Sequence, residues 1–240
     1  MQNLYAQFDN LGFLVYNERD KRNHIKNLNF RNMQFINSNN HIVIPMETNN
    51  GTKNVVLDTG AGLSLCFDSR ITEFRAGDGV FSPNGLNAMA AMLDQGSINK
   101  LVGMEISAIL GPDFLKDRNV LIDFKTNEIS FNSPMPENAS IVDIDTSFFG
   151  LPVLEMSVNG YALKTAFDTG ARYPFVGSWK KNEVTLGNAF EQIEDYNPFK
   201  GHFTADLHKG NIALGTCEFA DTTIAVGNVY DEASSMVHVD

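Results

Sequence analysis

The sequence predicts a mainly β protein whose two halves resemble each other. Short apolar runs are broken by Asn, Gly, Asp and Pro, and long 3.6-residue periodicity is scarce, which is typical of strands joined by turns. A repeat is the second observation, because HIVIPMETNNGTKNVVLDTGA (41–61) matches LPVLEMSVNGYALKTAFDTGA (151–171). Each copy indicates a strand, an Asn-Gly turn, a second strand and Asp-Thr-Gly-Ala, so both halves are expected to fold alike.

Further elements are predicted between and after the two copies. The best helix candidate is LNAMAAMLDQ (86–95), and GPDFLKDR (111–118) is expected to form a turn or two of helix. A hairpin is predicted for NVLIDFKTNEISF (119–131) and another strand pair for IALGTCEFADTTIAVGN (212–228). NSPMPENAS (132–140) carries two prolines and no apolar periodicity, which indicates a linker.

These signals divide the chain into four segments. We expect an N-terminal extension at 1–35, a first lobe at 36–134, a linker at 135–140 and a second lobe at 141–240. The sequence leaves open whether the extension is a removable pro-segment. A chain of 240 residues has ample length for one large domain or two small ones. Since one chain carries both copies of the repeat, the expectation is a monomer with two lobes related by a pseudo-two-fold axis.

Composition narrows the classes of partner. A net charge of −11 argues against a nucleic-acid groove or an anionic membrane and mildly favours neutral or basic substrates. No window approaches 18 consecutive apolar residues, so no membrane span is expected. The start lacks a basic segment followed by an apolar core, so no signal peptide is predicted in the sequence as given, and the compartment stays open. The five histidines show no metal-ligand spacing beyond a loose pair at 202 and 208, so neither metal nor cofactor is predicted.

The two Asp-Thr-Gly turns carry the candidate catalytic residues. Asp58 and Asp168 each follow an apolar run, and two equivalent turns brought together would place their carboxyl groups side by side. Carboxylates about 3 Å apart cannot both ionise comfortably, so they share a proton. The ionised member can take a proton from water while the protonated member polarises a substrate carbonyl, which is general acid–base hydrolysis.

The neighbours of the two aspartates fit this task. Gly60 and Gly170 let the backbone pack closely and donate hydrogen bonds to the carboxylates. Thr59 and Thr169 are placed to form hydrogen bonds across the lobe interface and hold the two turns in register.

The paired DTGA turns, each after an apolar strand, resemble those of retroviral-type and pepsin-like aspartic proteases. Ala61 and Ala171 after the glycines are similar to the retroviral type, since pepsin-like enzymes usually carry Ser or Thr there. The resemblance implies a two-lobed, pseudo-symmetric acid-protease β-barrel fold. It also implies an aspartic endopeptidase that holds an extended peptide or protein substrate in a cleft between the lobes, covered by flaps.

AILGPDFLKDRNVLIDF (108–124) extends the resemblance, because it is similar to the family's hydrophobic-hydrophobic-Gly segment and following short helix. Ile109, Leu110 and Gly111 are therefore expected to back the first catalytic turn. The second lobe shows no counterpart, so it is expected to close differently or to be incomplete as given. Alternatively, the N-terminal NLGFLVYN (10–17) takes the place of the missing segment behind the second turn. Without cover, three residues of the second lobe are expected to be more exposed than their first-lobe equivalents Val55, Val56 and Leu57: Leu163, Ala166 and Phe167.

Flaps and substrate contacts are predicted at 76–90 and 196–211, which follow the two turns at suitable distances. Four aromatic residues there are candidates for lining the cleft, each with core packing as the alternative: Phe81, Tyr196, Phe199 and Phe203. Arg172, directly after Ala171, either favours the charged carboxylate or points to solvent.

Two other function classes stay open at this point. One is a catalytically inactive protease-like module that binds extended peptides. The other is phosphoryl transfer through an aspartyl-phosphate, although the lysine that such a motif carries between Asp and Thr is missing from both turns.

Overall fold

The computed structural model describes residues 4–9, 12–17, 32–76, 79–82, 87–115, 118–131, 141–146, 151–198 and 200–228, and the predicted linker 135–140 lies outside them. Strands make up 53% of the structure and helices 10%, and the sheets curl, so the mainly β prediction is confirmed. The strands are β1 (Leu4–Asp9), β2 (Gly12–Asn17), β3 (Asn32–Gln34), β4 (Ile36–Ser38), β5 (His41–Thr48), β6 (Gly51–Leu57), β7 (Leu65–Cys66), β8 (Phe74–Ala76), β9 (Gly79–Phe81), β10 (Ala108–Leu110), β11 (Val120–Asp123), β12 (Glu128–Phe131), β13 (Ile141–Ile144), β14 (Val153–Val158), β15 (Tyr161–Ala166), β16 (Phe175–Gly177), β17 (Glu191–Asn197), β18 (Gly201–Leu214) and β19 (Cys217–Gly227). The helices are α1 (Asn87–Ala90), α2 (Gln95–Val102) and α3 (Pro112–Leu115), with a 3-10 turn at Ser178–Lys180.

The strands form three sheets. The first-half sheet has the order β7-β10-β6-β5-β8-β9, with β4 also paired to β5. The second-half sheet has the order β15-β14-β18-β19-β16, with β17 paired to β18. A linking sheet of order β13-β1-β2-β11-β12-β3 joins strands from the N-terminal segment to strands from both halves of the chain. None of the described helices is long and apolar enough to cross a membrane.

Both copies of the sequence repeat form the predicted hairpin. β5 pairs antiparallel with β6, and β14 pairs antiparallel with β15. In the second hairpin the connecting residues Asn159 and Gly160 have φ of 49° and 82°, the left-handed values that a two-residue turn requires and that Asn and Gly adopt most easily. The hairpins predicted within 119–131 and 212–228 are also present, as β11–β12 and β18–β19.

The predicted helix at 86–95 is wrong in its bounds. Helix α1 ends at Ala90, and a separate helix α2 begins at Gln95. The separation arises at Asp94, whose side chain accepts a hydrogen bond from the Ser97 N–H and so starts a new helix. Helix α2 ends at Val102 and is capped by Gly103, which has φ of 83°. The short helix predicted after Gly111 is present as α3.

The apolar core is largest around the first half. One buried cluster packs side chains of the first-half and linking sheets, of α3 and of β14, including Phe74, Phe114, Ile122 and Leu154. A second cluster lies between β5, β6, β10 and α2 and includes Val43, Val56, Ile98 and Ile109. The second half has two smaller clusters of its own. Cys66 is buried with a free thiol.

The equivalent strands β6 and β15 have different neighbours. β6 lies between β5 and β10, with β10 in parallel register, whereas β15 pairs only with β14 among the described residues. The alternative that the segment 10–17 fills this gap is wrong for its described part, because β2 pairs with β1 and β11. The predicted difference in exposure is confirmed: Ala166 is exposed and Leu163 and Phe167 are half-buried, while Val55, Val56 and Leu57 are buried.

Candidate active site

The first Asp-Thr-Gly turn is fixed from behind by the segment predicted to back it. The Asp58 N–H donates to the carbonyl of Leu110, 2.9 Å away. The Gly111 N–H donates to the Ser64 hydroxyl at 2.9 Å, and that hydroxyl donates to Asp113 Oδ1 at 2.6 Å. Because Ser64 follows the turn and Asp113 lies on α3, this buried network ties the turn to β10 and to the helix behind it.

The two turns meet through their threonines. The Thr59 N–H donates to Thr169 Oγ1 at 3.1 Å, and the Thr169 N–H donates to Thr59 Oγ1 at 3.0 Å. Each hydroxyl also donates across to the other half, Thr59 to the Phe167 carbonyl at 2.5 Å and Thr169 to the Leu57 carbonyl at 2.8 Å. Four reciprocal hydrogen bonds therefore hold the two turns in register.

The glycines bring the two carboxyl groups close. The Gly60 N–H donates to Asp58 Oδ1 at 2.9 Å, and the Gly170 N–H donates to Asp168 Oδ1 at 2.8 Å. A Cβ built on Gly60 would lie 2.3 Å from Asp168 Cγ, and one built on Gly170 would lie 2.3 Å from Asp58 Cγ. Only glycine leaves room for a carboxyl group of the opposite turn at each of these positions.

The carboxyl pair favours a proton on Asp58. Burial raises the pKa of Asp58 well above the usual range of an aspartate, and the negative charge of Asp168 and a hydrogen bond with its carboxyl group raise it further. The Asp58 residue is partly exposed, but its carboxyl group is surrounded by protein. Asp168 is an exposed residue. The backbone N–H groups of Gly60 and Ala61 oppose the rise without cancelling it.

The alanines that follow the glycines take equivalent places. The Ala61 N–H approaches the Asp58 carbonyl and the Ala171 N–H approaches the Asp168 carbonyl, both at 3.4 Å. Ala61 also packs against the buried cluster beneath α2. The two Asp-Thr-Gly-Ala segments therefore have the same backbone contact between their first and last residues.

The aromatic residues predicted for the cleft pack in several places. Phe81 lies edge-on to Phe114, with ring centroids 5.2 Å apart, at the first-half core. Tyr196 packs against the cluster beneath α2, and Phe203 packs within the smaller second-half cluster. Phe199 lies outside the described residues. A substrate contact by any of the four stays a prediction.

Sequence reasoning missed several residues around the second turn. The Asn40 side chain donates to the Arg172 carbonyl at 3.1 Å, and the buried His41 imidazole lies against the Gly170 backbone. The Arg172 guanidinium lies over the Tyr173 ring at 5.3 Å. Burial raises the pKa of Asp195, and the charge of Arg172 partly opposes this rise. Asn40 and His41 could have been noticed only as two polar residues where the first copy of the repeat begins.

No protein-family model and no curated protein matches this chain. The inference of function therefore depends on the paired turns, their carboxyl groups and the residues around them.

Proposed function

We propose that this protein is an aspartic endopeptidase with Asp58 and Asp168 as its catalytic pair. One observation carries the proposal: two Asp-Thr-Gly turns exchange hydrogen bonds through their threonines, and each glycine packs against the carboxyl group of the other turn. With it we propose the two-lobed acid-protease fold, with lobes at 36–134 and 141–240. Each lobe supplies one aspartate, so a monomer suffices.

In this proposal the two carboxyl groups have different roles. Asp58 holds the shared proton because burial and the neighbouring carboxylate disfavour its charged form. Asp168, the more exposed member, takes a proton from a water molecule as that water attacks the scissile carbonyl carbon. Asp58 donates its proton to the carbonyl oxygen. Collapse of the tetrahedral intermediate returns a proton from its hydroxyl group to a carboxylate, and the departing amine takes the proton held by the pair.

The substrate in this proposal is an extended peptide or an unfolded protein segment lying between the lobes. The net charge of −11 favours neutral or basic sequences over acidic ones. Because the pair must hold one proton, activity is expected to follow a bell-shaped pH profile with a mildly acid optimum, roughly pH 4 to 6.5.

The test is cleavage of an unfolded protein substrate across that pH range. Asp58→Asn and Asp168→Asn should each abolish turnover, since an amide neither shares the proton nor acts as a base. Asp221→Asn is the matched control, because the Asp221 side chain is exposed on the β18–β19 hairpin and lies 3.8 Å from the Lys209 ammonium group. Turnover of Asp58→Asn at the parent rate would end the proposal. Peptide binding without cleavage by the parent would favour the inactive binding module instead.

A further inference from the structure

The second catalytic turn has less support from its own half than the first. Asp58 is bonded to Leu110 of β10, which lies beside β6. On the equivalent edge of β15 the described residues provide no strand. The residue equivalent to Ser64 in the repeat is Pro174, which has no hydroxyl group and no N–H to form the network found behind the first turn.

A turn from the first half reaches this site. Asn39 and Asn40 connect β4 to β5 with φ of 47° and 66°, so they form a tight left-handed turn. The preceding Ser38 hydroxyl donates to the Val102 carbonyl at 2.7 Å, and the Asn39 side chain donates to the Leu101 carbonyl at 3.0 Å. These bonds fasten the turn to the C-terminal end of α2.

From this anchored turn two side chains contact the second catalytic turn. Asn40 Nδ2 donates to the Arg172 carbonyl at 3.1 Å. His41 is only 2% exposed, with Nδ1 3.3 Å from the Ser38 carbonyl. Its Nε2 is buried and makes no hydrogen bond among the described residues, although the Gly170 backbone lies beside the ring. Since the Ser38 carbonyl is the neighbour of Nδ1, Nε2 is the nitrogen available for a contact with Gly170.

We propose that Asn40 and His41 are positioning residues that hold the second catalytic turn from the opposite half, in place of the strand and the Ser–Asp network that support the first turn. This inference rests on the proposed function for its effect on catalysis. Support of the Gly170–Arg172 backbone by these two residues does not depend on whether the protein cleaves peptides.

The surroundings of His41 lower its pKa, which favours the neutral ring. Burial lowers the pKa of His41, while the Ser38, Asn39 and Gly170 carbonyls and Asp195 on β17 oppose this. Arg172 of the second turn and His41 both act on Asp195. A neutral imidazole can donate from only one nitrogen, so the ring contributes a polar edge, rather than a charge, beside the turn.

The catalytic test compares matched variants. Asn40→Gly keeps the left-handed turn and removes only the amide, and Asn127→Gly is its control because Asn127 has φ of 54° in the distant β11–β12 hairpin. His41→Phe is matched by His208→Phe. His208 is 1% exposed and lies within the second half, and among the described residues it likewise has a partner at Nδ1 and none at Nε2. Asn40→Gly and His41→Phe should each lower kcat roughly 10- to 100-fold with little change in KM.

Two conservative variants separate positioning from packing. The amide of Gln reaches the place of Nε2 and that of Asn the place of Nδ1, so His41→Gln should retain more of kcat than His41→Asn. Equal kcat values for the two, or a fall in kcat for the controls as large as that for Asn40→Gly and His41→Phe, would overturn the proposal.

Amide hydrogen exchange tests the same support without any assay of cleavage. The Gly170 amide, which donates to Asp168, should exchange at least about 10-fold faster in Asn40→Gly and His41→Phe, while the Gly60 amide changes less. If the parent cleaves nothing yet Gly170 responds in this way, the proposed function fails and the support stands. If Gly170 exchange is unchanged in Asn40→Gly, which should fold even if His41→Phe does not, the support itself is refuted.

Discussion

Thr59→Val should separate the hydrogen bonds between the two turns from ordinary burial. Valine has nearly the shape of threonine, so the change removes the hydroxyl and leaves the packing. The hydroxyl is buried, donates to Phe167 in the other half and accepts from the Thr169 N–H. Thr59→Val therefore removes two of the four bonds that hold the turns together.

The cost follows from these two bonds. Each buried hydrogen bond contributes about 1 kcal/mol net, and leaving a buried N–H without its acceptor costs about 1–3 kcal/mol. The free energy of unfolding should fall by about 2–4 kcal/mol. For a protein of this size that corresponds to a decrease in Tm of roughly 4–16 °C. A shift of one turn by about 1 Å would also lower kcat roughly 100-fold.

Thr48→Val is the control, because its hydroxyl also makes two bonds. Thr48 Oγ1 donates to the Gly51 carbonyl at 2.6 Å and accepts from the Asn50 N–H at 3.0 Å, within one hairpin. Urea unfolding and peptide cleavage are measured for the parent and both variants. Both variants should lose stability, but only Thr59→Val should lose kcat.

Either of two results would refute the proposed role of the Thr59 hydrogen bonds. Equal loss of kcat in Thr59→Val and Thr48→Val would mean that the bonds between the turns have no special part in alignment. An unchanged free energy of unfolding in Thr59→Val would mean that its two bonds contribute nothing net.

Three other predictions concern the same turns. Gly170→Ala should destabilise the protein by about 1–3 kcal/mol and abolish turnover, because its Cβ would lie 2.3 Å from Asp58 Cγ. Gly187→Ala, with no atom within 4 Å of its Cβ, should be near neutral in the same thermal unfolding assay. The raised pKa of Asp58 means that the folded state holds a proton that the unfolded state has lost, so its contribution to stability is full below the usual aspartate range and is lost as pH rises through the raised pKa. Asp58→Asn should therefore gain stability relative to the parent as pH rises from 4 to 8, and a flat difference curve in urea unfolding would contradict the raised pKa. Ser64→Ala should cost about 1–3 kcal/mol, because it leaves the buried Gly111 N–H without its acceptor, and a Tm equal to that of the parent would show that this network does not support the first turn.

Local signals in the sequence predicted much of the fold. The two repeat hairpins, β11–β12 and β18–β19 each combine apolar strands with Asn, Gly or Thr-Asn turns, and such signals act over a few residues. The approach of Asp58 to Asp168 was predictable because the motif is repeated in the same setting. These features need no knowledge of distant packing.

Other features depend on contacts between residues far apart in the chain. Helix α2 was missed because QGSINKLV has little apolar content, and its bounds are set by the Asp94 cap and Gly103. The pairing of β2 with β11 could not be deduced from the sequence, because an alternating apolar pattern does not show which strand pairs with which. Asn40 and His41 read as an ordinary turn and strand start, and their contacts with the second half appear only after folding.

The same tetrapeptide, DTGA, occurs in both halves, yet its two aspartates have different surroundings. Asp58 follows a strand that β10 covers, and its carboxyl group lies within protein; Asp168 follows β15, an edge strand among the described residues, and is exposed. The difference arises from residues distant in sequence, so no motif could have assigned the proton. Under the proposed mechanism, that packing makes Asp58 the acid and Asp168 the base. If both proposals hold, asymmetric support, by β10 on one side and by Asn40 and His41 on the other, gives two identical motifs two different chemical roles.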